Sequence, residues 1–126
     1  MKRLWTIVGV ADVAKGYAWY QTLLDLPRNK PHHSCFGQLV DKDGTVLLCV
    51  HEWGVEDHPP LSDPKADKPG NGLLLFFRAD NFETALAAAR GLGTLEQAPS
   101  RNENTGTMEF SLRDPDGYFV SISAND

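Results

Sequence analysis

Apolar and polar positions divide the chain into two similar halves. The run Leu4-Trp5-Thr6-Ile7-Val8-Gly9-Val10 is rich in β-branched residues and predicts a strand over 4–10. Asp12 then offers a helix N-cap. Val13, Tyr17, Tyr20 and Leu24 follow at spacings of three and four, which predicts a helix over 13–24, ended by Leu26-Pro27. Residues 35–40 and 45–51 flank Asp41-Lys42-Asp43-Gly44, and the Asp-Gly pair predicts a hairpin. In the second half, 73–77 reads as a strand and Asp80-Asn81-Phe82-Glu83 as a capping box. Phe82, Ala85, Leu86 and Ala89 then mark one helix face, with Gly91 and Gly93 as the stop. Strands are expected at about 94–97, 108–113 and 118–123, the last two joined by a turn at Asp114-Pro115-Asp116-Gly117.

Between the halves, residues 54–71 hold Pro59, Pro60, Pro64 and Pro69, half of the chain's eight prolines. This segment reads as a loop or crossover that Trp53, Val55 and Leu61 can pin down. Each half thus reads β-α-β-β with room for one more strand. The expected organisation is one domain over 1–126: a first module (about 1–53), a Pro-rich connection (54–71) and a second module (about 72–126).

Composition narrows the function classes. With 126 residues, 41% apolar and 23% charged, the chain has the balance of a globular domain. A net charge of −5, with Lys2-Arg3 the longest basic cluster, argues against nucleic-acid binding and favours neutral or cationic partners. No stretch approaches the length of a membrane span. The opening apolar run leads into Asp12 and not into a small-residue cleavage site, so no signal peptide is expected. Two cysteines cannot build a disulfide framework, and a cytoplasmic location with reduced thiols is the expectation.

The duplicated pattern, the opening Ile7-Val8-Gly9-Val10-Ala11-Asp12 with Trp19-Tyr20 and Leu23-Leu24, and the ending Leu112-Arg113-Asp114-Pro115-Asp116-Gly117-Tyr118-Phe119-Val120-Ser121-Ile122 resemble the vicinal oxygen chelate superfamily. That superfamily includes glyoxalase I, extradiol dioxygenases, fosfomycin-resistance enzymes and bleomycin-resistance proteins. The resemblance covers nearly the whole chain. It implies an α+β fold of two tandem β-α-β-β-β modules forming a curled mixed sheet around a cleft, completed by pairing into a homodimer. It also implies a divalent metal in catalytic members, with ligands at four strand positions. Counting seven residues back from Asp12 and from Asp80 places two of these at Trp5 and Leu73. The position four residues after Gly117 is Ser121, and the one before Glu52-Trp53-Gly54-Val55 is Leu48. Indole and isobutyl groups cannot coordinate, and a lone hydroxyl is a poor ligand for a divalent ion. The family's metal chemistry is therefore not expected, and no cofactor is expected.

Strand alternation on this register puts Trp5, Ile7 and Gly9 on the cleft side, with Phe77, Phe119, Ser121 and Ser123. Trp53 would stand at the rim. Glu109, Ser111 and Arg113 share a face, which with Gln38 supplies polar contacts or only solvated strand ends. The aromatic residues either line a pocket or fill the cleft as core. Elsewhere, His58 with Glu56 or Asp57 offers an unconventional metal site, against surface histidines as the simpler reading, and thiol catalysis has little support. The hairpin places Cys35 roughly opposite Cys49, either near disulfide distance or as two small buried residues.

The reading that follows is a metal-free small-molecule binding protein holding a hydrophobic or planar ligand, with a cationic one favoured by the acidic balance. Its expected ligand-binding residues are Trp5, Gln38, Trp53, Phe77, Glu109, Ser111, Phe119 and Ser121, with no catalytic residue assigned. Two alternatives stay open: a lyase, isomerase or dioxygenase with a relocated divalent metal, and a structural or regulatory dimerisation module.

Overall fold

The computed structural model describes residues 2–23, 25–31, 33–113 and 117–125, the side chain of Leu23 excepted. Within them lie seven strands and two α-helices. In chain order these are β1 (Arg3–Val10), α1 (Val13–Leu23), β2 (Phe36–Val40), β3 (Val46–Glu52), β4 (Leu73–Ala79), α2 (Phe82–Leu92), β5 (Gln97–Arg101), β6 (Met108–Arg113) and β7 (Phe119–Ala124). The α+β fold and the repeated strand–helix–strand grammar are those the sequence predicts. The module after the helix differs between the repeats: two strands follow α1 and three follow α2 among the described residues. The Asp114-Pro115-Asp116 part of the expected turn lies outside the described residues, as do Leu24 and His32.

The chain divides into two compact units. One is Trp5–Leu74, and the other is built from Leu75 onward together with the start of β1. In the first, strands run in the order β2-β3-β1, with β1 parallel and β2 antiparallel to β3. Its core is Val13, Tyr17, Leu26, Leu39 and Val50, with Val8, Val10, Tyr20 and Leu48 packed against them. Even-numbered positions of β1 thus face α1, and Ile7 and Gly9, paired with Cys49 and His51, face away.

Capping fixes the ends of α1. Asp12 Oδ1 accepts from the Lys15 N–H at 3.0 Å, as an N-cap should. At the other end the Leu26 N–H donates to the Gln21 carbonyl (3.0 Å), while Asp25 takes a left-handed φ of 52°. This six-to-one bond is a Schellman-type stop, with Leu26 buried against the core.

In the second unit the order is β4-β7-β6-β5, with β7 parallel to β4 and antiparallel to β6. Leu86, Ala89 and Phe110 form its core, joined by Phe82, Ala85, Leu95, Leu112 and Ile122. The N-cap of α2 is Asn81, whose side chain accepts from the Thr84 N–H. Strand β5 begins at Gln97, later than the expected 94–97, and tolerates Pro99 because its pairing with β6 is interrupted there.

The hairpin register corrects the expectation for the cysteines. Gly44 N–H bonds Asp41 O, Asp41 N–H bonds Thr45 O, and a bulge follows between Leu39 and Val40. Turn and bulge together shift the pairing, so Gln38 stands opposite Cys49 and the Cys35 carbonyl accepts from Glu52 N–H. Both thiols are free.

Candidate functional site

Each unit has a sheet face turned away from its helix, and the expected ligand-binding residues fall on these two faces with one exception. In the unit Trp5–Leu74, Trp5 continues the Ile7–Gly9 face by alternation and is partly buried. Gln38 is paired with Cys49 on the same face. Trp53 lies over bare backbone: a Cβ on Gly9 would come within 2.6 Å of its ring, and one on Gly72 within 2.9 Å. The connecting segment is held there by backbone bonds from Gly54 N–H to Leu61 O (2.8 Å) and from Gly9 N–H to Gly72 O (3.0 Å), with Leu61 itself buried.

In the other unit, Ser111 and Ser121 are fully buried and share a 2.7 Å Oγ–Oγ hydrogen bond, and Ser111 Oγ also donates to Gln97 Oε1. Phe119 is 1% exposed and carries the Arg113 guanidinium 4.9 Å above its ring. Glu109 accepts from Asn102 Nδ2 at 3.0 Å. The polar groups among these are satisfied within the sheet, and Phe119, Ser111 and Ser121 are buried.

Phe77 is the exception. The β4–β7 register pairs it with Ile122, which packs toward α2, whereas Phe76 pairs with Ser121. Phe76, not Phe77, therefore shares the face away from the helix. The cause is the cap: with Asn81 rather than Asp80 opening α2, the same count of seven reaches Leu74 and not Leu73. Leu48 is likewise displaced from the expected face, since it packs with Val50 against α1.

These corrections do not restore a metal site at the family positions. Trp5, Leu73 and Leu74 have no donor atom. The Ser121 hydroxyl is buried and shared with Ser111. Cys49, the neighbour of Leu48 on the opposite face, has its thiol pushed up to about 12 by burial. The residues present do not fit the divalent ion.

Two other features of the molecule can hold a ligand. The first is an apolar groove of about 710 Å³ between α2 and the β6–β7 pair, within one unit. Ala85, Ala88 and Leu92 form its helix wall, and Phe110, Val120 and Ile122 form its sheet wall. Thr94 and part of Arg113 also line it, and Arg113, whose guanidinium turns to Phe119, is the one charged residue in the lining among the described residues. Leu92 is 83% exposed although it lies in this wall. Ligand pockets span roughly 300–1,000 Å³ and are mostly apolar with a few polar groups, which matches this groove. The sequence shows each wall as an amphipathic face but not the gap between them, because packing distance has no periodic signal.

The second feature is a histidine–carboxylate cluster at the end of β3. His51 Nε2 and His58 Nε2 stand 3.4 and 3.3 Å from the same Glu56 oxygen. The expectation named His58 with Glu56 or Asp57; the structure brings in His51 and leaves Asp57 outside the cluster. His51 points away from α1 on β3, and the chain then reverses through Gly54 (φ 76°) and Glu56 (φ 62°) to bring His58 back. Burial lowers the His58 pKa most, and the neighbouring His51 lowers it further, against the opposing charge of Glu56.

Comparison with known proteins agrees with this architecture. The family model of the Glyoxalase/Bleomycin resistance protein/Dioxygenase superfamily matches residues 2–122. Among solved structures, a superfamily member from Vibrio splendidus aligns with TM-score 0.69 at 12% identity, covering 99% of this chain and 100% of that one. A Streptomyces coelicolor methylmalonyl-CoA epimerase aligns with TM-score 0.66 at 17% identity, covering 95% and 94%. A Legionella pneumophila protein described as an NAD-dependent benzaldehyde dehydrogenase aligns with TM-score 0.63 at 22% identity, covering 97% and 98%. No curated protein matches the chain. No helix among the described residues is long and apolar enough to cross a membrane.

Proposed function

Since the chain belongs to the Glyoxalase/Bleomycin resistance protein/Dioxygenase superfamily, we propose that it uses this scaffold to bind a small apolar molecule, without the superfamily's metal chemistry at its usual positions. The groove between α2 and β6–β7 is the observation that carries this reading. Its walls are alanine, leucine, valine, isoleucine and phenylalanine side chains, so affinity would come from removing apolar surface from water. Thr94 is the polar side chain in the lining that would orient a ligand. The Arg113 guanidinium is held over the Phe119 ring and donates to the Gly117 carbonyl, so the groove itself sets no preference for a charged ligand. The mechanism is stoichiometric capture, and the ligand is hydrophobic or planar.

Titration with an anionic anilinonaphthalene dye tests this, followed by displacement with a series of apolar carboxylates. The expected result is saturable binding of one dye per chain, displaced more strongly as the carboxylate lengthens. Substituting Ala88→Trp should abolish it, because the indole fills the groove from an exposed helix position. Equal dye binding by wild type and Ala88→Trp would overturn the reading.

A further inference from the structure

The geometry points to a second, separate site: His51, Glu56 and His58 form a binding site for one divalent transition-metal ion of the zinc type. One ligand atom from each of the three residues lies within 4.8 Å of the others. Two ligands about 2.1 Å from a tetrahedral ion stand about 3.4 Å apart, close to the two histidine–Glu56 distances.

Hydrogen bonding supports the same assignment. His51 Nδ1 lies 2.8 Å from the Glu52 carbonyl, which can only accept, so that nitrogen carries the proton. In the neutral ring Nε2 then presents a lone pair toward the Glu56 carboxylate, and two acceptors face each other. A cation between them resolves the conflict, and a carbonyl holding the far nitrogen is the usual support of a metal-bound imidazole. His58 presents its Nε2 to the same Glu56 oxygen, at 3.3 Å. Its side chain is 9% exposed, and its Nδ1 is buried with no hydrogen-bond partner among the described residues.

Ligand type selects the ion. Two imidazoles with one carboxylate suit zinc, cobalt or nickel and do not suit calcium or magnesium, which take oxygen ligands. Three protein ligands leave a fourth position for water or a further ligand. The ion would tie the end of β3 to the connecting loop. All three residues belong to the unit Trp5–Leu74, whereas the groove lies in the other, so either reading can fail without the other.

The test is calorimetric titration of the chelator-treated full chain with Zn²⁺, alongside Co²⁺ absorption spectra. The expected result is one ion per chain, with Glu56→Gln and His58→Gln each weakening binding at least about tenfold. His33→Gln, outside the cluster, should bind as wild type does. Glu56 is partly exposed, so its variant should fold; Zn²⁺ should raise the melting temperature of wild type and not of Glu56→Gln. Uptake well below one equivalent by wild type, or unchanged affinity in Glu56→Gln, would overturn the site.

Discussion

Leu92→Ala separates the groove's role in binding from any role in folding. Leu92 ends α2 and is 83% exposed, so folding buries little of its side chain. Full burial of a leucine is worth about 1.5–3 kcal/mol, and the fraction buried here leaves under about 0.5 kcal/mol to lose. Alanine also has the better helix propensity, by a few tenths of a kcal/mol. Stability should therefore change by less than about 0.5 kcal/mol. A ligand in the groove would cover roughly half of the exposed leucine, worth about 1 kcal/mol, or about fivefold in affinity. Dye titration and denaturant melts on the same preparations measure both quantities. Unchanged affinity would refute the placement of the ligand. A loss of stability above about 1 kcal/mol would refute the premise that Leu92 is free in the unliganded protein. Melts at two protein concentrations then distinguish burial against a second copy from burial within the chain.

Four further outcomes follow from packing, capping and burial. Gly37→Ala should destabilise by about 3 kcal/mol, because a Cβ there would sit 2.5 Å from the buried Tyr17 ring, which also donates to Asn29 Oδ1; urea melts check it. Asp25→Gly should stabilise by about 0.5 kcal/mol by relieving the left-handed backbone at the α1 stop, and a loss measured in the same melts would refute the capping assignment. Cys49 should resist alkylation at mildly alkaline pH until the chain unfolds, since burial pushes its thiol up to about 12, and mass spectrometry of the labelled protein reads this directly. Cys35 should react first, slowed by its burial and by the Glu56 charge, so Glu56→Gln should speed its labelling.

Much of the fold was legible because strand alternation and helix periodicity are local. Val8 and Val10 face α1, and Ile122 faces α2, as two-residue alternation requires. The N-cap at Asp12 was legible for the same reason. Errors arose where one residue of register decided the outcome. Asp80 and Asn81 are equally good caps by composition, and choosing the first moved Phe77 and Leu73 to the wrong face. A bulge in the hairpin, which no turn rule revealed, separated Cys35 from Cys49. The candidate sites were less legible still. The histidine cluster depends on a reversal through Glu56, a residue with positive φ, where glycine would be the usual signal. The groove depends on how far α2 stands from its sheet.

Amide and methyl chemical-shift mapping during titration with an apolar carboxylate is the most direct test of small-molecule capture. Capture in the groove predicts saturable shifts clustered at Ala88, Leu92, Val120 and Ile122. Shifts confined to Trp5, Gln38 and Trp53, or none at saturating ligand, would contradict it.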